Sequence, residues 1–120
     1  MNLNFSTTIN DGTLRVTVDS TRLDAAIAGE FKAGVESAWV AAVTGVEINL
    51  GAVEFIDSSG VGALISIFRK SLCVRGGIRL TQVRPGVWAV LELLHLCSLF
   101  ESVSAAEPSN STDVTAPLGA

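Results

Sequence analysis

Reactive side chains are scarce in this chain. Its 120 residues hold one histidine and two cysteines, and 17% of residues are charged. A hydrolase triad would have to run through His95, at the end of a leucine-rich stretch where a partly buried residue or a helix-terminal charge is the ordinary role. Cys73 and Cys97 form no CxxC pair and, with His95, no zinc-ligand spacing, so they are expected as reduced core residues rather than ligands or a disulfide. Basic residues are few: eight Lys and Arg against twelve Asp and Glu leave a net charge of −4 and a pI of about 4.8. That balance argues against nucleic acid or an anionic membrane surface as partner. No run reaches the roughly 18 unbroken apolar residues of a membrane helix. Residues 1–6 lack the basic and apolar regions of a signal peptide, so a cytoplasmic location is expected. Gly60-x-Gly62 is too short for a dinucleotide fingerprint and no Gly-Lys-Ser/Thr follows it. Its glycines serve a tight turn or a close approach of another surface.

Apolar residues, by contrast, are plentiful, at 48% with a mean hydropathy of +0.48. One domain of this length can build a core from them without staples. Residues 3–9 and 14–18 alternate loosely around Asn10-Asp11-Gly12-Thr13, which predicts a hairpin with an Asx-Gly turn. Asp24 then reads as the N-cap of a helix with Ile27, Phe31, Val35, Ala38, Trp39 and Ala42 on its inner face, stopped by Thr44-Gly45. A short strand over residues 46–50 leads through Phe55 and Ile56 to a second helix with inner face Val61, Leu64, Ile65, Phe68 and Leu72, ending at Gly76-Gly77. A strand over residues 78–83 precedes a third helix, with Pro85 in its first turn and Val87, Trp88, Leu91 and Leu94 as its stripe. Residues 99–103 read as a closing strand. The order ββαβαβαβ predicts an α/β domain, with a mixed, mostly parallel sheet and helices packed against it. From residue 104 to 120 small and polar residues with two prolines dominate, so the domain is expected over 1–103 and a disordered tail over 104–120.

The most informative stretch is Asp57-Ser58-Ser59-Gly60, where an apolar segment gives way to an amphipathic helix. Two hydroxyls and an acid there stand at the positive end of a helix dipole, a place suited to capping or to holding a phosphate. Local physics alone favours capping. Phosphorylation would nevertheless add close to two negative charges beside Asp57 and turn an acidic partner away. No nucleophile elbow surrounds Ser59, because Asp57 and Val61 stand where glycines are needed. Asp19, Asp24 and Asp57 each adjoin a strand end and could share a cation, but caps and turns are the simpler use of them. Neither catalysis nor a metal or other cofactor is expected.

The run Phe55-Ile56-Asp57-Ser58-Ser59-Gly60-Val61-Gly62-Ala63-Leu64 resembles the signature loop of STAS domains, specifically the single-domain bacterial anti-sigma factor antagonists. Supporting likenesses are Leu23-Asp24-Ala25-Ala26 with Glu30-Phe31, Gly76-Gly77-Ile78-Arg79-Leu80, and residues 87–100, so that the resemblance covers about residues 3–103. It implies a STAS-like fold and a partner-switching role. The unphosphorylated protein would bind an anti-sigma factor that is also a serine kinase, and so free the sigma factor. Phosphorylation of Ser58 would release that partner, and a metal-dependent serine phosphatase would reset the cycle. The resemblance further implies that Asp24, Asp57, Ser58, Ser59, Gly60 and Val61 form the partner-binding region. Family members often carry Ser-Gly-Glu-Leu-Asp where this chain has Ser20-Thr21-Arg22-Leu23-Asp24, and an aspartate where it has Asn49. The same fold also serves as an accessory subunit of ABC-type lipid transporters and of stress-signalling assemblies, which is the alternative reading.

Overall fold

The computed structural model describes residues 4–72, 74–100 and 102–105. The chain opens with the hairpin β1 (Phe5–Asn10) and β2 (Thr13–Val18), antiparallel and in register from Phe5↔Val18 to Asn10↔Thr13. Its two-residue loop, Asp11-Gly12, has φ of 50° and 82°. Positive φ at both positions matches the strands' right-handed twist, and an Asx-Gly pair supplies it at low cost. Then follow β3 (Arg22–Leu23), α1 (Ala28–Ala38), β4 (Gly45–Asn49), β5 (Phe55–Ile56), α2 (Ser58–Ser71), β6 (Ile78–Val83), α3 (Pro85–Leu93), a 3-10 turn at Cys97–Leu99, and β7 (Ser102–Ala105). The main sheet has the order β1-β2-β4-β6-β7, with every pair parallel except β1–β2. β3 and β5 form a separate two-stranded parallel pair. The α/β class and the mixed, mostly parallel sheet follow the alternation seen in the sequence.

The core joins inward residues of the sheet (Leu14, Val16, Ile48, Ile78, Leu80) to Phe31 and Val35 of α1, Leu64 and Ile67 of α2, and Leu91 of α3, all at 1% exposure or less. Burying each large side chain of this kind is worth about 1.5–3 kcal/mol. α1 packs against α2 and β1, and α3 packs against β5. Phe5 meets Phe31 edge to face at 6.0 Å, and Phe68 meets Phe100 at 5.9 Å.

Several details differ from the sequence reading. Asp24 does not cap α1 directly; a turn over residues 24–27 intervenes and the helix begins at Ala28. α1 stops at Ala38, not at Thr44, and Ala42 is exposed while Val43 turns into the core. The inner face of α2 is Gly60, Val61, Ala63, Leu64, Ile67 and Ser71; Leu72, expected to be buried, is its C-cap and 70% exposed. The face is rotated because small residues at 60 and 63 admit close packing that a pattern of large side chains does not register. Leu94, expected in the stripe of α3, is 48% exposed. It is the C-cap, and the chain reverses at His95 (φ 58°), whose N–H donates to Glu92 O while Leu96 N–H donates to Leu91 O. This Schellman turn brings Leu96 into the core in place of Leu94. His95 is exposed there, and Trp88 packs half-buried against the core. Cys97 is half-buried and free, its thiol pushed up by burial and by Glu92. Cys73 lies outside the described residues. The closing strand is Ser102–Ala105 rather than residues 99–103, because Leu99 ends the 3-10 turn and Phe100 is its C-cap; residues 106–120 of the expected tail lie outside the described residues.

Candidate functional site

The site lies where the small β3–β5 pair delivers the chain to its helices. Arg22 pairs with Phe55 and Leu23 with Ile56, and the ladder extends to Asp57, whose N–H donates to Leu23 O (3.4 Å). Asp24 and Asp57, far apart in sequence, therefore leave the pair side by side. Ala25 N–H donates to Asp57 Oδ2 at 3.4 Å.

Asp57 is the cap of α2. Its Oδ1 accepts from Ser59 N–H (2.9 Å) and Gly60 N–H (3.1 Å), and its carbonyl accepts from Val61 N–H (2.9 Å). Extended backbone at Asp57, with φ −117° and ψ −171°, turns the carboxylate back over the first turn of the helix. Ser58 is thus the first helical residue rather than the cap, and Ser58 and Ser59 are both exposed.

Gly60 is buried against β3. A side chain there would collide with the Leu23 carbonyl oxygen and come within 2.8 Å of Ile56 Cγ1. Only hydrogen at this Cα lets the first turn of α2 sit on β3. Gly62 faces open space. Val61 is 8% exposed and packs into the core, so any part that Gly60 and Val61 take in binding is through the shape of the turn.

Asp24 Oδ1 accepts from Ala26 N–H (3.0 Å), and its carbonyl accepts from Ile27 and Ala28 N–H (3.0 and 2.8 Å). Its Oδ2 takes a hydrogen bond from Arg22 Nε at 2.9 Å. That bond, ahead of the Ala26 amide and against the opposing effect of desolvation, holds the Asp24 carboxyl below the ordinary carboxylate range. The Arg22 guanidinium also lies 4.4 Å from the centroid of the 43% exposed Phe55 ring. Sequence reading noted Arg22 as a departure and Phe55 as part of a connection and of the signature run, and neither as a contact of the other. Nothing local signals their contact, because 33 residues separate them and the β3–β5 pairing alone joins them.

Of the three aspartates considered together, Asp24 and Asp57 meet. Among the described residues no group of three or more His, Cys, Asp or Glu could hold a metal ion. No helix among the described residues is long and apolar enough to cross a membrane.

Comparison with known proteins places this geometry in context. The putative anti-sigma factor antagonist of Thermotoga maritima is 23% identical, with 83% of this chain and 85% of that one covered and a TM-score of 0.71. The Bacillus cell fate determinant SpoIIAA in its phosphorylated form is also 23% identical, covering 88% and 94% at a TM-score of 0.66. A sulfate transporter family protein from Wolinella succinogenes is similar too, at 16% identity over 81% and 80% with a TM-score of 0.69. At such identities the likeness is one of fold. A search of curated proteins by sequence finds no match. The family model for the STAS domain, however, matches residues 4–110, nearly the whole chain, and the chain belongs to the STAS domain family.

Proposed function

We propose that this protein is an anti-sigma factor antagonist: a binding protein, not an enzyme, whose grip on its partner is switched at Ser58. One observation carries the reading. The capping task at the start of α2 is met by Asp57, and Ser58 is left exposed at the first helical position. A hydroxyl that is not needed for the fold is available as a phosphoacceptor. The adjacent Asp57 carboxylate is engaged by the Ser59, Gly60 and Ala25 amides instead of the hydroxyl, and among the described residues no metal-holding cluster adjoins it to make it a nucleophile.

In this cycle the unphosphorylated corner formed by Asp24, Asp57, Ser58 and Ser59, shaped by Gly60 and Val61, docks on an anti-sigma factor that is also a serine kinase. The sigma factor is thereby freed. A phosphate on Ser58 adds close to two negative charges beside Asp57 and breaks the contact by repulsion and desolvation, without refolding. A serine phosphatase restores the binding form. Support comes from the family and from the anti-sigma factor antagonists that share the fold. The sequence departures at Thr21 and Arg22 lie on this same corner, which makes partner choice particular to this chain.

The test is incubation with ATP and the anti-sigma kinase of the same host, followed by intact mass. One phosphate is expected on the wild type and none on Ser58→Ala, and only the unphosphorylated wild type should hold the kinase in a stable complex. Full phosphorylation of Ser58→Ala would overturn the site. A second reading, a docking subunit of a transporter or of a stress-signalling assembly, takes its support from the transporter family protein of the same fold. Stable binding to transporter components with no phosphate on Ser58 would favour it.

A further inference from the structure

We propose that Arg22 is the receptor for a phosphate on Ser58: its guanidinium leaves Asp24 and closes on the phosphate oxygens, withdrawing from the Phe55 ring as it does so. The proposal rests on the reading of Ser58 as phosphoacceptor and concerns what the phosphate meets once it is there.

The helix start cannot serve that role unaided. Anions at a helix N-terminus are ordinarily held by its free amides. Here the amides of Ser59 and Gly60 are already taken by Asp57 Oδ1 and that of Val61 by the Asp57 carbonyl, so the first turn has only the Ser58 amide left to offer. A phosphate on Ser58 would arrive beside two carboxylates, Asp57 and Asp24, and needs a cation to offset them.

One cation stands at this corner. Segments 19–26 and 54–63, which build it, contain Asp19, Asp24, Glu54 and Asp57 but a single basic residue, Arg22. On the neighbouring elements, Arg84 at the start of α3 is tied to Gly51 O at 2.6 Å. Arg69 and Lys70 lie in the last turn of α2, at the far end from Ser58; on α1, Glu30 adds negative charge in the first turn and Lys32 is paired with Glu36 at 3.3 Å.

Arg22 is placed and free enough to turn. It lies on β3 one residue before Leu23, whose carbonyl receives the Asp57 amide, and its side chain already reaches Asp24. That side chain is 59% exposed, and its contact with Asp24 runs through Nε. An exposed pair of this kind is a weak restraint. A phosphate near charge −2 draws a guanidinium more strongly than a single carboxylate does, and offers it a two-pronged geometry that a lysine could not match. The exchange is thus favoured, and it changes the surface twice: Asp24 loses its cation and the Phe55 ring loses its cover.

The experiment installs phosphoserine at position 58 during translation, so that no kinase is needed. The 31P resonance is titrated with pH in the otherwise wild-type protein and in the Arg22→Ala and Arg22→Lys variants, and the Arg22 Nε–H resonance is compared with and without phosphate. A guanidinium beside the phosphate favours its dianion. The second proton should therefore leave at a pH about half a unit lower in the wild type than in Arg22→Ala, a size typical of exposed charge pairs. Arg22→Lys should recover only part of the difference, and the Nε–H signal should move on phosphorylation. Identical titrations in all three proteins with an unmoved Nε–H signal would overturn the proposal. Absence of kinase action on Ser58 would instead remove the proposed cycle while leaving this readout intact, so the two failures are distinguishable.

Discussion

The two halves of the small β3–β5 pair run the same local program and arrive at different ends. Each is a two-residue strand followed at once by an aspartate, Arg22-Leu23-Asp24 in one and Phe55-Ile56-Asp57 in the other, and each leads into a helix. Asp57 caps its helix immediately, with two amides on one carboxylate oxygen and Ser58 already helical. Asp24 gathers Ala26, Ile27 and Ala28 into a turn, spends its second oxygen on Arg22, and the helix waits until Ala28. The difference lies three residues past each aspartate. Gly60 lets α2 lie directly on the Leu23 carbonyl, whereas Ile27 occupies the matching place after Asp24 and has no side-chain cap. What each turn displays differs as well: hydroxyls at Ser58 and Ser59, methyl groups at Ala25 and Ala26. A shared turn grammar thus leaves exposed hydroxyls at the start of one helix and methyl groups at the approach to the other.

The largest effect should come from making the two sides alike at their tightest point. Gly60→Ala drives a methyl group into Leu23 O and Ile56 Cγ1, and overpacking of this kind costs about 1–3 kcal/mol. A urea melt should show that loss, and amide resonance shifts should spread from α2 to residues 22–25. Asp57→Ala removes a cap from two amides and should cost about 1 kcal/mol in the same melt, with faster hydrogen exchange in the first turn of α2. Asp24→Ala should leave exchange in α1 nearly unchanged, since a turn separates it from the helix. Equal effects of the two aspartates would break the contrast.

Gly62 sharpens it from the other side. Its Cα faces open space inside the helix, so Gly62→Ala should stabilise by about 0.5–1 kcal/mol through helix propensity alone. A loss there would mean that the two glycines do the same work. The smallest effect is electrostatic. Arg22 lowers the Asp24 pKa in the folded chain, so the stability it lends is present above the unfolded carboxylate pKa and fades as pH falls through the folded value. Wild type and Arg22→Ala should therefore differ slightly in urea midpoint near neutral pH and converge in acid. A constant gap across that range would assign the effect of Arg22 to its packing on Phe55.

Periodicity and turn chemistry carried most of the fold. The Asx-Gly hairpin, the strand at Ile78–Val83, Pro85 at the start of α3 and the alternation that makes the sheet mostly parallel are local signals, and each is where the pattern placed it. Helix ends were less legible. Leu72 and Leu94 fit their apolar stripes by spacing, yet both are C-caps and exposed, because the chain turned before the stripe ended. β3 and β5 escaped notice because two residues carry no alternation to read, and their pairing depends on a partner some thirty positions away. Asp57-Ser58-Ser59-Gly60 stood out as a helix start from its residue types, but which residue caps was not decided by them.

By itself the sequence determined that a small acidic α/β domain would form, with an Asp-Ser-Ser-Gly turn at the head of its second helix and a family likeness centred there. Those are consequences of hydrophobic spacing and turn preference, which act over a few residues. Only the tertiary structure decided that Asp57 takes the capping role and leaves Ser58 outside, and that Gly60 must remain a glycine. It also brought Arg22, Asp24 and Phe55 to the same corner. The physical reason is that capping depends on the backbone angle at Asp57, and the corner on the pairing of two distant strands; neither is encoded within the span of any one turn.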